Sequence, residues 1–176
     1  YELCRPCDVY TMWFTKNMAI RLSRMMLRCF PILLVAAFLP APFNITLPPD
    51  WRSGILFLVS VTLGFLVLIS FSMLIYISAF YTISPMGVRI LATSVIEFFA
   101  GGVIPILFFP ESLQPIMYAL PFASMQNTPF LIYTGHIKGF EALQDIAIQL
   151  VWLAALIIVG RFLMGQALKK VIVQGG

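Results

Sequence analysis

Between Arg52 and Arg89 the chain runs for 36 residues without a charged side chain. A helix that crosses a bilayer needs about 20 predominantly apolar residues, because the hydrocarbon core is roughly 30 Å thick and a helix rises about 1.5 Å per residue. The stretch from Gly54 to Phe80 meets that length alone. Hydrophobic residues make up 61% of the chain and charged residues 10%, and the mean hydropathy is +0.98, so the whole chain shares this character. The predicted fold class is an all-α polytopic membrane protein. At 176 residues it forms a single transmembrane domain, residues 1–176, with no room for a soluble catalytic module beside several spans.

Four spans are predicted: Cys29 to Leu47, Gly54 to Phe80, Val88 to Phe109, and Ile146 to Leu163. Pro31, Pro40 and Pro42 interrupt the first, which predicts a kinked or partly embedded segment. If all four cross, the stretch from Tyr1 to Arg28, the Ser84 to Arg89 loop and the tail from Arg161 share one side. That side carries Arg5, Lys16, Arg21, Arg24, Arg28, Arg89, Arg161, Lys169 and Lys170, nine of the 11 Lys and Arg residues. The other side carries only Arg52 and Lys138. Lys and Arg accumulate on the cytoplasmic side of membrane proteins, so both ends of the chain are expected there. The net charge of +4 then reads as topology and lipid contact, not nucleic-acid binding.

From Asp8 to Phe30, Asn17, Arg21, Arg24 and Arg28 recur at spacings of four, three and four on one helical stripe. Met12, Trp13, Phe14, Met18, Leu22, Met25 and Met26 cover most of the remainder. The pattern predicts a cytoplasmic amphipathic helix in the interface, its cations among anionic headgroups. On the other side, Pro110 to Asp145 holds apolar pieces too short to span, broken by Pro115, Pro121, Pro129, Gly135 and Gly139. Such pieces form interfacial or re-entrant elements, and an outer helical hairpin before the last span is expected. The domain thus divides into a coupling and amphipathic segment (1–28), three spans (29–109), the re-entrant segment (110–145), the last span (146–164) and a cytoplasmic tail (165–176).

Chemistry-bearing residues are few. Cys4-Arg5-Pro6-Cys7 has the C-x-x-C spacing of a dithiol or half a zinc site, but the one further thiol is Cys29 and His136 falls across the membrane. No metal site, cofactor or catalytic group is expected. Glu97 is the one acid inside a span, and such a carboxylate serves either as interhelical glue or as part of a conduit. Gly101, Gly102 and Pro105 beside it predict close backbone approach and a bend. No phosphate-binding loop, zinc-protease pair or nucleophile elbow occurs, so ATP-driven work would need an ATPase on another polypeptide.

Several short patterns resemble a known family. Leu3-Cys4-Arg5-Pro6-Cys7-Asp8 is similar to the L-x-R-P-x-D segment of a bacterial group of type-2 ABC-transporter permeases. Leu120-Pro121-Phe122, Pro129 and Gly135 resemble its outer hairpin; Gln149-Leu150-Val151-Trp152, Gly160-Arg161 and the closing Val173-Gln174-Gly175-Gly176 resemble its tail. The resemblance implies six spans per permease, of which these four are the third to sixth. Two upstream spans are then expected, consistent with a chain that begins at Tyr1 and shows no signal peptide. It also implies a cytoplasmic coupling segment around Arg5, Pro6 and Asp8, and pairing of two permeases, alike or different, with two ATP-binding subunits. The expected function is export of an amphipathic or lipophilic compound across a bacterial plasma membrane. The alternative is a membrane-embedded enzyme or scaffold subunit using Glu97 or His136.

Overall fold

The computed structural model describes residues 8–40, 48–82 and 84–170. Among them the chain is all helical: α1 (Val9–Phe38), α2 (Trp51–Ser78), α3 (Pro85–Phe99), a 3₁₀ turn (Ile106–Phe108), α4 (Gln114–Ala119), α5 (Pro121–Tyr133) and α6 (Gly139–Lys170). Two helices are long and apolar enough to cross a membrane, Trp51–Ser78 and Gly139–Lys169. Only 28% and 22% of their apolar windows are buried within the chain. The core helix of a soluble protein would be covered on most sides, so this exposure fits helices whose solvent is lipid.

α2 and α6 pack along their length and run in the same direction. Near their starts, Leu56, Phe57 and Leu63 surround Ala142 and Ile146. Midway, the Gln149 Nε2 donates to the Ser60 carbonyl at 3.2 Å. Near their ends, Met73 and Ile77 cluster with Met164 and Ala167. Two like-directed helices require the chain to return between them, and residues 79–138 make that return.

α3 begins it and stops after 15 residues, about 22 Å of helix. Its end is a glycine stop: Gly101 takes φ +78°, and the Gly102 N–H donates to the Glu97 carbonyl at 3.1 Å. That is the Schellman arrangement, in which a left-handed residue satisfies helix carbonyls that would otherwise lack partners. The span expected over Val88 to Phe109, with a bend at Gly101, Gly102 and Pro105, is instead interrupted outright at Gly101. Past the stop, Ile106 is fully buried against Met117 and Ala123, with Phe99, Phe109 and Tyr118 around them. α5 then runs opposite to α2, with Phe122 edge-on to Phe71 at 5.2 Å and Tyr133 against Phe57 at 4.9 Å. It ends on a second glycine stop, Gly135 at φ +71°, with the His136 N–H donating to the Leu131 carbonyl.

α1 differs from the two-piece reading of an interfacial helix followed by a span at Cys29. It is one helix of 30 residues, continuous through Cys29 and Pro31. Its first half leans on α2 in the opposite direction, with Trp13 stacked on Phe80 at 5.7 Å and the Arg21 Nη2 donating to the Ser72 Oγ at 2.8 Å. Its second half, including Leu27, Phe30, Leu33 and Phe38, is exposed and apolar. The stretch 41–47 of the expected first span lies outside the described residues.

α2 and α5 approach closely at Gly64, where a Cβ would lie 2.8 Å from the Met125 carbonyl oxygen and 2.9 Å from that of Ser124. Pro129, buried inside α5, has no N–H to give the Met125 carbonyl, so this oxygen is available to face α2. Both colliding atoms are backbone and cannot rotate away. Gly64→Ala is predicted to force α2 and α5 apart at a cost of about 1–3 kcal/mol, lowering the thermal midpoint in detergent. Gly165→Ala meets nothing within 4 Å and should leave the midpoint unchanged or raise it.

Candidate functional site

Two regions collect the polar side chains. The first is a groove of about 730 Å³ between α1 and α2, completed by Arg89 of α3. Lys16, Arg21, Arg24, Arg28 and Arg89 line it, and no Asp or Glu does among the described residues. The helical spacing that makes a stripe of Asn17, Arg21, Arg24 and Arg28 turns all four toward α2. Asn17 is buried and its Oδ1 accepts from the Arg21 Nε at 2.9 Å, fixing the guanidinium as it reaches Ser72. Ile20, Met25, Phe65 and Leu68 supply apolar walls.

The second is a groove of about 530 Å³ among α4, α5 and α6, where His136, Glu141, Gln144 and Asp145 face Tyr118 and Thr128. Ser124 at its floor joins it to a buried polar junction. There the fully buried Gln149 donates from Nε2 to the carbonyls of Ser124 at 2.8 Å and Ser60 at 3.2 Å. The Gln149 Oε1 and Ser60 Oγ are buried at the same junction without partners. One side chain thereby ties α2, α5 and α6 together, while the Trp152 Nε1 donates to the Ala119 carbonyl and adds α4.

The residues singled out in the sequence fall in different places. Arg5 and Pro6, with Cys4 and Cys7, lie outside the described residues, as does the closing Val173 to Gly176. Asp8 caps α1, accepting from the Tyr10 N–H at 3.2 Å and from the Thr11 hydroxyl. The Thr11 hydrogen bond, with help from the Tyr10 and Thr11 backbone, holds its carboxyl below the ordinary carboxylate range. Glu97 is exposed on α3 and does not line either groove, and His136 shares the second groove with Glu141 and Asp145. Gly101 and Gly102 terminate α3 and lie close to Asn127 and Gln126 of α5, and Pro105 opens the 3₁₀ turn. Pro121 begins α5 and is buried, Phe122 packs on Phe71 and Phe99, and Gly135 ends the helix.

A further cluster lies at the start of α1. Tyr10 is 4% exposed and lies against Gly160, where a Cβ would come within 2.9 Å of its ring and hydroxyl; Arg161 sits over the same ring at 5.7 Å. The start of α1 is thus seated on the ends of both α2 and α6. A glycine within a helix of small and apolar residues is a weak signal, and the Gly160-Arg161 pair is the one trace of this contact in the sequence.

Against this geometry, the sequence profile of a family described as ABC-2 family transporter protein matches residues 2–175. The chain belongs to that family. It is an ABC-2 transporter membrane protein, of a family whose members are transport subunits and generally work with an ATP-binding ABC subunit. No curated protein and no solved structure matches it.

Because Asp8 both caps α1 and adjoins the segment expected to couple, its two roles separate by substitution. Asp8→Asn keeps the cap oxygen and should leave amide exchange at Tyr10 and Thr11 slow. Asp8→Ala should cost about 1 kcal/mol of local stability and speed that exchange. Since the folded carboxyl titrates lower than an unfolded one, the charged cap contributes fully above the ordinary carboxylate range and is lost as pH falls through the folded value.

Proposed function

We propose that this ABC-2 permease is the transmembrane subunit of an ATP-driven exporter that moves an amphipathic or lipophilic compound outward across a bacterial plasma membrane. Two copies, or one copy and a related permease, pair with two cytoplasmic ATP-binding subunits. The observation that carries this reading is the common direction of α2 and α6. Their joined ends sit with the start of α1 and near the bulk of the cations: Lys16, Arg21, Arg24, Arg89, Arg161 and Lys169. Arg52 and Lys138 belong to the opposite ends of the same helices. This separation supports a cytoplasmic end at Met164 and an outer end at Ala142.

The drive enters through the segment before Asp8. Arg5, Pro6 and Asp8 dock the ATP-binding subunit, and a push there reaches Val9 and Tyr10, which are packed against Met73, Ile77, Met164 and Ala167. Two spans then feel one displacement. A transmitted push changes a population only if the two states differ in their contacts, and the glycine stop at Gly101 supplies a break across which α3 and α5 can shift. α4 and α5 form the outer re-entrant hairpin. The antiparallel course of α5 beside α2, from Phe71 to Phe57, supports that reading. Irregular backbone at such depth is tolerated where protein covers it, as it covers Ile106.

The orientation is tested with single cysteines at positions 138 and 169 in a chain whose Cys4, Cys7 and Cys29 are replaced by serine, probed in intact cells with an impermeant thiol reagent. Labelling is expected at 138 and absent at 169. The reverse pattern contradicts export through this orientation.

A further inference from the structure

The groove between α1 and α2 concentrates positive charge, with the guanidinium groups of Arg21, Arg24, Arg28 and Arg89 along it. The guanidinium groups of Arg24, Arg28 and Arg89 have no hydrogen-bond or ion-pair partner among the described residues, and no described carboxylate lines the groove. Arg21 is held in place by Asn17 and Ser72 through two of its N–H bonds, leaving three of its five donors toward the groove. Asn17 is 7% exposed, its Oδ1 is committed to Arg21, and its buried Nδ2 has no partner. Fixed guanidinium donors beside an unused amide donor match the oxygens of a phosphate, which accepts several charge-assisted hydrogen bonds at once.

The apolar surroundings select the kind of phosphate. Arg21 lies level with Ser72, and the groove continues past Arg24 and Arg28 toward Leu68 and Phe65, into the apolar body of α2. Cations at that depth are costly unless an anion or water meets them. Beyond Arg28, α1 continues as an exposed apolar track, with Phe30 72% and Phe38 84% exposed. A water-soluble phosphate would leave that track and the Phe65 and Leu68 wall unused. An acyl chain would cover both.

We infer that this groove is a binding site for an anionic glycerophospholipid, its phosphate held by Arg21, Arg24, Arg28 and the Asn17 amide and its acyl chains laid along the second half of α1. A zwitterionic headgroup would bring an ammonium group among five cations, so the site discriminates by net headgroup charge. The inference concerns a bound lipid and does not depend on which compound is exported.

The test uses the full-length permease with its ATP-binding subunit, extracted from bilayers of mixed phosphatidylglycerol and phosphatidylcholine and weighed by native mass spectrometry. Phosphatidylglycerol should be retained over phosphatidylcholine. The Arg24→Ala/Arg28→Ala variant alters two exposed side chains and should assemble normally while retaining roughly tenfold less of it, the scale of lost hydrogen bonds to charged groups. Should that variant fail to assemble, Arg89→Ala provides the same comparison from α3. Excess glycerol 1-phosphate should not displace the lipid. Equal retention of the two lipids, or unchanged retention by the variants, overturns the inference. Displacement by glycerol 1-phosphate also overturns it, assigning the groove to a soluble phosphate. Cross-linking of position 24 to an acidic segment of the ATP-binding subunit in place of lipid would overturn it in favour of a protein partner.

Discussion

In a hydrocarbon solvent an apolar helix gains little by exchanging lipid for another apolar helix, so association rests on close packing and on polar groups that find partners only inside the bundle. The junction of Ser60, Gly64, Ser124 and Gln149 supplies both. Gly64 lets the backbone of α2 approach α5 to contact distance, and Gln149 reaches from α6 to the carbonyls of the other two helices. Without that approach the Gln149 amide would lie in an apolar medium with its donors unmet, a state that costs more than the hydrogen bonds themselves gain. The small residues and the glutamine therefore stabilise one another's arrangement.

From this junction the rest of the architecture follows. Fastening α2 and α6 side by side in the same direction obliges the intervening chain to return, and the two glycine stops at Gly101 and Gly135 divide that return into short pieces. Short pieces leave backbone polar groups that lipid cannot satisfy, so they must be covered by protein. Ile106, Met117, Ala123 and the surrounding aromatic rings provide the cover. At the other end, Tyr10 seated on Gly160 binds the start of α1 to both long helices. The start of α1, beside the segment proposed to meet an ATP-binding subunit, is thereby joined directly to both long helices.

The sequence made some of this legible and hid the rest for physical reasons. α2 was readable because an uncharged run longer than the bilayer has no other use, α6 because Ile146 to Leu163 is apolar but for Gln149 and Arg161, and the cation stripe of α1 from its spacing alone. The continuity of α1 was not, since residues at spacings of four, three and four share a helix face whether the helix lies flat or stands beside a neighbour. Gly101 and Gly102 were visible as a special pair, but a glycine that lets backbones approach and a glycine that ends a helix look alike until its φ is known. Ser60 and Gly64 stand four apart, the spacing of close-packed membrane helices, a signal the sequence does carry. The role of Gln149 is not legible in sequence, because its partners lie 25 and 89 residues away.

The central claim is that α2 and α6 are packed in one direction about the Gln149 junction. Paired cysteines in a chain otherwise free of cysteine, oxidised in native membranes, test it without reference to transport. The account predicts disulfide cross-links for Ser60→Cys with Gln149→Cys and for Ile77→Cys with Met164→Cys, and none for Ser60→Cys with Met164→Cys. Cross-linking of the Ser60 and Met164 pair, with failure of the other two, would contradict it.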